Sequence, residues 1–196
     1  MNFKQLLLLV SFIEGGALMS AELISSKLIG PYYGSSLIVW TSVFVCTLSG
    51  LALGYFLGGF IAKRENLISI LFKIIIASFV LFGLMHLISR IIMEATLSMP
   101  IELGSLLSVL IFLFPLLMCF GMVSPIILKL ITLDNTFAGN NSGVVYTIST
   151  LGGIFASLII GFYAIPLWGI KASIAATCFS LLIALFLIIY AKKKMI

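Results

Sequence analysis

Residues 5–29 read QLLLLVSFIEGGALMSAELISSKLI, an apolar run interrupted by two carboxylates, Glu14 and Glu22. A bilayer crossing takes about 20 consecutive apolar residues, so this run predicts a transmembrane first helix. A carboxylate facing lipid costs roughly 3 kcal/mol on insertion scales, so each acid needs a partner, a water-filled cavity or the membrane interface. The stretch also imitates a secretory signal, with Lys4, an apolar run from Leu6 to Ile13, and small residues at Ser20 and Ala21. Glu14 interrupts that pattern and apolar residues resume beyond it, which favours a retained helix over a cleaved peptide.

Five further apolar stretches follow, at about residues 36–62, 67–88, 103–124, 143–165 and 172–191. Gly30-Pro31 is expected to stop the first helix, since proline cannot continue the hydrogen-bond ladder. The second ends on Lys63-Arg64-Glu65-Asn66. Arg90, Glu94, Pro100 and Glu102 mark a connection that could hold a short interfacial helix. Pro115 predicts a kink near the middle of the fourth helix. Residues 134–142, DNTFAGNNS, read as a polar loop, and Pro166 to Gly169 as a turn.

Hydrophobic residues form 62% of the chain and charged ones 9%, which excludes water as the main solvent. The expectation is an all-α, polytopic six-helix membrane bundle, one domain over residues 1–196, with no room for a soluble catalytic domain. The net charge of +5 would suggest nucleic acid in a soluble protein, but these cations sit at helix ends, so no nucleic-acid partner is expected. Cys46, Cys119 and Cys178 fall in different apolar stretches without metal-ligand spacing. No metal or cofactor is expected.

Lys4, Lys63, Arg64, Lys129 and Lys192-Lys193-Lys194 fall on one side of the bundle, against Lys27, Arg90 and Lys171 on the other. The positive-inside rule then puts both termini in the cytoplasm of a multi-pass protein of the inner or plasma membrane. Lys73 can snorkel towards the same side. Asn140-Asn141-Ser142 matches a glycosylation sequon but falls in a connection read as cytoplasmic, and is discounted.

Every fourth residue of the second helix is small: Ser42, Cys46, Gly50, Gly54, Gly58, Ala62. The fifth repeats this with Ser149, Gly153, Ser157 and Gly161, beside Gly152 and Ala156. Such stripes let helix backbones approach where lipid supplies no hydrophobic drive for association, so both helices are expected to pack closely and deep in the bundle. The stripes occupy corresponding places in the two sets of three helices. A 3+3 inverted repeat is one reading. The other is that any six-helix bundle needs two close-packed helices.

The run Ala21-Glu22-Leu23, Lys27, Pro31-Tyr32-Tyr33-Gly34-Ser35-Ser36 and Trp40 resembles the start of the membrane region in membrane-bound spermidine synthase-like proteins, the fused major-facilitator/spermidine synthase type. Gly50-Leu51-Ala52-Leu53-Gly54-Tyr55, Gly58-Gly59, Lys63-Arg64, Gly121-Met122-Val123-Ser124-Pro125 and Ser149-Thr150-Leu151-Gly152 resemble later segments of that region, in order. The resemblance implies a membrane module linked to aminopropyl transfer and small cationic substrates such as polyamines. Fused members continue into a cytoplasmic aminopropyltransferase domain. Here no glycine-rich strand-to-helix turn follows the sixth helix, so no catalytic residue is assigned and transfer by this chain alone is not expected. Lys27 stands where that family more often has arginine.

Glu14, Glu22, Lys27, Tyr55 and Tyr146 are the candidate substrate-binding residues. Glu22 is read either as a structural acid, paired with Lys27 or with the following loop, or as a cation site. Glu14 is read either as a neutral hydrogen-bonded acid or as a ligand or proton site. Their eight-residue offset sets them about 80° apart around a helix, so both can face one cavity. Tyr55 and Tyr146 are read as cavity lining or as packing. His86, Arg90 and Glu94 recur at spacing four and read as an interfacial ladder. Trp40, Trp168, Tyr32, Tyr33 and Tyr190 read as interface anchors.

The leading expectation is a non-catalytic membrane module that partners a soluble aminopropyltransferase-like enzyme, binds or moves a small cation, or does both. The alternative is an independent small major-facilitator-like transporter, for which a homo-oligomer is considered.

Overall fold

Asn2 opens the first helix of the computed structural model by donating its backbone N–H to Gln5 Oε1 at 2.9 Å. Residues 2–132 and 138–194 are described, and no strand occurs among them. Helix α1 (Phe3–Tyr33) runs past the expected stop at Gly30-Pro31. Pro31 sits in the last turn, where its missing N–H removes one ladder bond and the helix ends two residues later. Gly34 then closes the helix at φ 78°, donating its N–H to Gly30 O at 2.8 Å.

Ser36 caps α2 (Leu37–Ile61), its side chain accepting from Val39 N. α3 (Leu67–Thr96) follows the left-handed Asn66 and continues beyond the expected end at Ile88. Arg90 Nε donates to Glu94 Oε1 at 2.9 Å, one turn further on, so the stretch read as a connection is helix. The fourth crossing is two helices, α4 (Ile101–Phe112) and α5 (Phe114–Ile131), parted at Leu113. Pro115 starts α5 where a missing donor is tolerated, making the expected kink a break. α5 also extends past Ser124 with Pro125 inside it.

α6 (Ala138–Ile159) begins earlier than the sequence suggests, taking up the end of the expected polar loop. The rest of that loop, residues 134–137, lies outside the described residues. Wide π-helical turns carry Ile160–Trp168 through Pro166, where a turn was anticipated. The reversal comes at Gly169, whose φ of 80° suits glycine. α7 (Gly169–Lys193) completes the chain. Five helical stretches are long and apolar enough to cross a membrane, Phe3–Tyr33, Leu37–Ile61, Leu67–Thr96, Phe114–Ile131 and Gly139–Lys193, the last being divided at Gly169. The chain is an all-helical membrane bundle.

α1 packs chiefly on α6, and α2 chiefly on α5 and α4. Both pairings are parallel. Along the first, Lys4 meets Asn141, Gly15 meets Ser149 and Leu23 meets Gly161. Along the second, Ser42 meets Ser105, Gly50 meets Leu117 and Gly58 meets Met122. A two-fold axis in the membrane plane exchanging the first three passes for the last three maps α1 onto α4–α5 and α6 onto α2. The two tight pairs then become equivalent, as do α1 with α7 and α4–α5 with α3, which also touch. This is the pairing that a 3+3 inverted repeat produces.

The second and fifth helices do not lie deep in the bundle, nor mainly on each other. Phe44, Leu48, Phe56 and Phe60 of α2, and Ile154 and Phe155 of α6, are exposed. A small-residue stripe covers one face of a helix only, so the large residues around the rest of the circumference are left for lipid. The centre is held by α1 and α5, where Leu7, Val10, Leu116 and Phe120 are fully enclosed.

Candidate functional site

Both acids of α1 point into the protein. Glu14 and Glu22 are 2% and 7% exposed, which removes the lipid-facing option for each. Glu14 accepts a hydrogen bond from Ser149 Oγ of α6 at 3.3 Å. Gly15, next along, presses on the same point: a Cβ there would overlap the Ser149 carbonyl, so α6 is drawn against the acid by the absence of a side chain. Tyr55 of α2 is a neighbour of Glu14. Its ring meets that of Tyr146 edge-on, with centroids 6.4 Å apart and planes at 83°.

Glu22 lies one stretch further along α1, against α2. Its carboxyl lies beside the Thr47 hydroxyl, which donates to Val43 O at 2.9 Å. Cys46 is the adjacent neighbour and donates its thiol to Val109 O of α4 at 3.4 Å. Glu14 thus meets α6 at Ser149 and lies near Tyr55 of α2, whereas Glu22 lies against α2 at Thr47. The 80° between them is enough to hand Glu14 to α6 and Glu22 to α2.

Between their levels, a recess of about 420 Å³ opens among α1, α2 and α6. Leu18 and Met19 of α1, Tyr55 of α2, and Ser149, Thr150 and Ser157 of α6 line it, the last three with hydroxyl groups. Neither carboxyl lines it directly. Glu14 is reached through Ser149 and Tyr55, both of which border the recess.

Lys27 is exposed and makes no ion pair with Glu22; among the described residues Arg90–Glu94 is the ion pair formed. An offset of five residues turns the two side chains to different faces of an unbroken helix, and α1 is unbroken here because it does not end at Pro31. His86, four residues before Arg90, stays outside that pair with a buried Nδ1 that has no hydrogen-bond partner. Of the small-residue positions, Ser42 Oγ lies 2.9 Å from Ser105 Oγ, Cys46 faces Val109, and Gly50, Gly54 and Gly58 lie against α5. On α6, Ser149 and Gly153 face α1 and Ser157 borders the recess, while Gly161, in the π-helical turns that follow, stands next to Leu23.

Thr47 was not singled out by the sequence reading. α1 and α2 are antiparallel and joined by a short turn, so facing residues have a constant sum of numbers; Glu14 with Tyr55 and Glu22 with Thr47 obey the same sum. That register rule identifies Thr47 once both helices are assumed to pack. At the far end, Tyr33 OH donates to Thr96 Oγ1 at 2.7 Å, and Thr96 Oγ1 lies 2.8 Å from Ser108 Oγ, tying α1, α3 and α4 together. At the near end, Lys4 Nζ donates to Asn141 Oδ1 at 2.9 Å and Asn141 Nδ2 to Thr132 Oγ1 at 3.3 Å. Among the described residues, no group of three His, Cys, Asp or Glu side chains could hold a metal ion.

No protein-family model matches the chain, and a comparison with curated proteins finds no match. What bears on function is therefore the placement of the acids and the recess beside them.

Proposed function

We propose that the chain is a non-catalytic membrane module that binds a small organic cation of the polyamine class in the recess between α1, α2 and α6. It works beside a separate soluble aminopropyltransferase-like enzyme or moves the cation itself, with both termini in the cytoplasm. The observation that carries this reading is that Glu14 and Glu22 are enclosed in the bundle beside the hydroxyls of Ser149 and Thr47 and, among the described residues, with no cationic partner. Intramembrane acids are expensive and mark ion or substrate pathways. An ammonium ligand would supply the missing countercharge, and the ring of Tyr55, which borders the recess, suits a cation.

A second reading, an independent small transporter, is favoured by the parallel α1–α6 and α2–α4/α5 pairing, since inverted repeats in transporters place their sites where the repeats meet.

Equilibrium binding of labelled spermidine to the purified full chain, with uptake into proteoliposomes, tests both. Binding that is lost in Glu14→Gln and Glu22→Gln supports the module, and accompanying uptake supports the transporter. Binding no greater than that of empty micelles overturns both.

A further inference from the structure

The end of the bundle that carries Lys4, Arg64 and Lys192 has a second feature, remote from the acids. Arg64, from the α2–α3 turn, and Lys192, from the last turn of α7, border one recess of about 480 Å³ together with Asn66, Ser69 and Leu130. Lys192 Nζ donates to Ser69 Oγ at 3.2 Å, which leaves its remaining N–H groups for another acceptor. The first turn of α3 forms one wall, so the positive end of that helix adds to the two cations. Glu65, the one acid in the turn, is exposed and does not border the recess.

Directly below runs an apolar groove of about 580 Å³ between α3 and α7. It shares Ile68, Ser69 and Lys192 with the basic recess and continues along Phe72, Ile76 and Ile189. Lys73 borders it with an exposed side chain that can reach back towards the headgroup level. A basic mouth continuous with an apolar trough has the amphipathic profile of a phospholipid. Free phosphate would use only the mouth, and a zwitterionic lipid would bring a cation to where Arg64 and Lys192 already stand.

We infer that the basic recess and the α3–α7 groove form a site for one anionic phospholipid, with its phosphate between Arg64 and Lys192 and an acyl chain along Phe72, Ile76 and Ile189. The inference uses neither Glu14 nor Glu22 and stands apart from the cation reading. Basic pockets between transmembrane helices bind anionic headgroups in this way, and the phosphate also complements the helix end.

Delipidated full-length protein in neutral detergent, titrated with phosphatidylglycerol and followed by native mass spectrometry and thermal unfolding, tests it. Phosphatidylglycerol is expected to bind and raise the unfolding temperature, whereas phosphatidylcholine and glycerol phosphate are not. Arg64→Gln with Lys192→Gln should weaken the lipid roughly thirtyfold, from the loss of two surface-level cations. Ile76→Trp, at an exposed position, should weaken it by filling the trough while leaving the fold intact. Lys171→Gln, at the opposite end, should behave as the parent. Equal stabilisation by phosphatidylcholine overturns the inference, as does full affinity in either groove variant. A shift reproduced by glycerol phosphate overturns the lipid in favour of a free phosphate.

Discussion

Gly54 of α2 and Gly121 of α5 meet backbone to backbone: a Cβ on Gly54 would stand 2.8 Å from the Gly121 Cα and 2.5 Å from the Met118 carbonyl oxygen. Backbone cannot rotate aside as a side chain can. Gly54→Val should therefore separate α2 from α5 and cost about 1–3 kcal/mol, read as a lowered thermal midpoint in detergent. Gly59→Ala is the internal control. Nothing lies within 4 Å of a Cβ there, so the change should be neutral or stabilising by up to about 1 kcal/mol. Equal losses from both variants would mean that the close approach of α2 to α5 does not set the response.

The Tyr33–Thr96–Ser108 chain should be worth a measurable amount because its three hydroxyls are buried. Tyr33→Phe removes one bond and should cost about 0.6 kcal/mol, while Thr96→Val strands both neighbours and should cost up to about 1.7 kcal/mol. Reversible unfolding of each variant and of the double variant gives the coupling. Additive losses would show that the hydroxyls do not act as one network.

At Glu14 the expected order is set by charge and space. Glu14→Gln keeps an acceptor for Ser149 and should retain the fold within about 1 kcal/mol. Glu14→Lys puts a long cation where Gly15 already allows α6 no extra distance, and should lose roughly 3 kcal/mol or more. The yield of monodisperse protein after extraction distinguishes the two, and a well-behaved Glu14→Lys protein would show that this position faces water.

Orientation can be read with single cysteines in a background where Cys46, Cys119 and Cys178 are replaced by alanine. A membrane-impermeant maleimide applied to intact cells should label cysteine at Lys171 and spare it at Lys4 and Lys194. Labelling at Lys4 in intact cells would invert the topology deduced from the lysine and arginine bias.

The bundle class was legible because hydropathy and length are properties of each segment alone. Partnership was not. The Gly50-Gly54-Gly58 and Gly153-Gly161 stripes announce that something approaches closely, but a stripe of hydrogen atoms bears no mark of what approaches, and the actual partners are α5 and α1. Boundaries failed where a local breaker was outvoted. Pro31, Pro125 and Pro166 all sit inside helical turns, because in lipid a broken ladder strands polar groups that only further helix can satisfy. For the site, the burial of Glu14 and Glu22 followed from their cost in hydrocarbon, whereas their separate neighbours, Ser149 and Thr47, needed the packing register.

The parallel embrace of α1 by α6 sets an order of events during synthesis. The hydroxyl that meets Glu14 lies 135 residues further along the chain, so the opening helix enters the membrane with its acid still waiting for its protein ligand. Neither set of three helices can finish its own interior, because each lends its innermost helix to the other. The polypeptide should therefore mature as one late, long-range closure, and the interval before α6 arrives is when a nascent copy is most open to quality control or to exchange of helices with a neighbour.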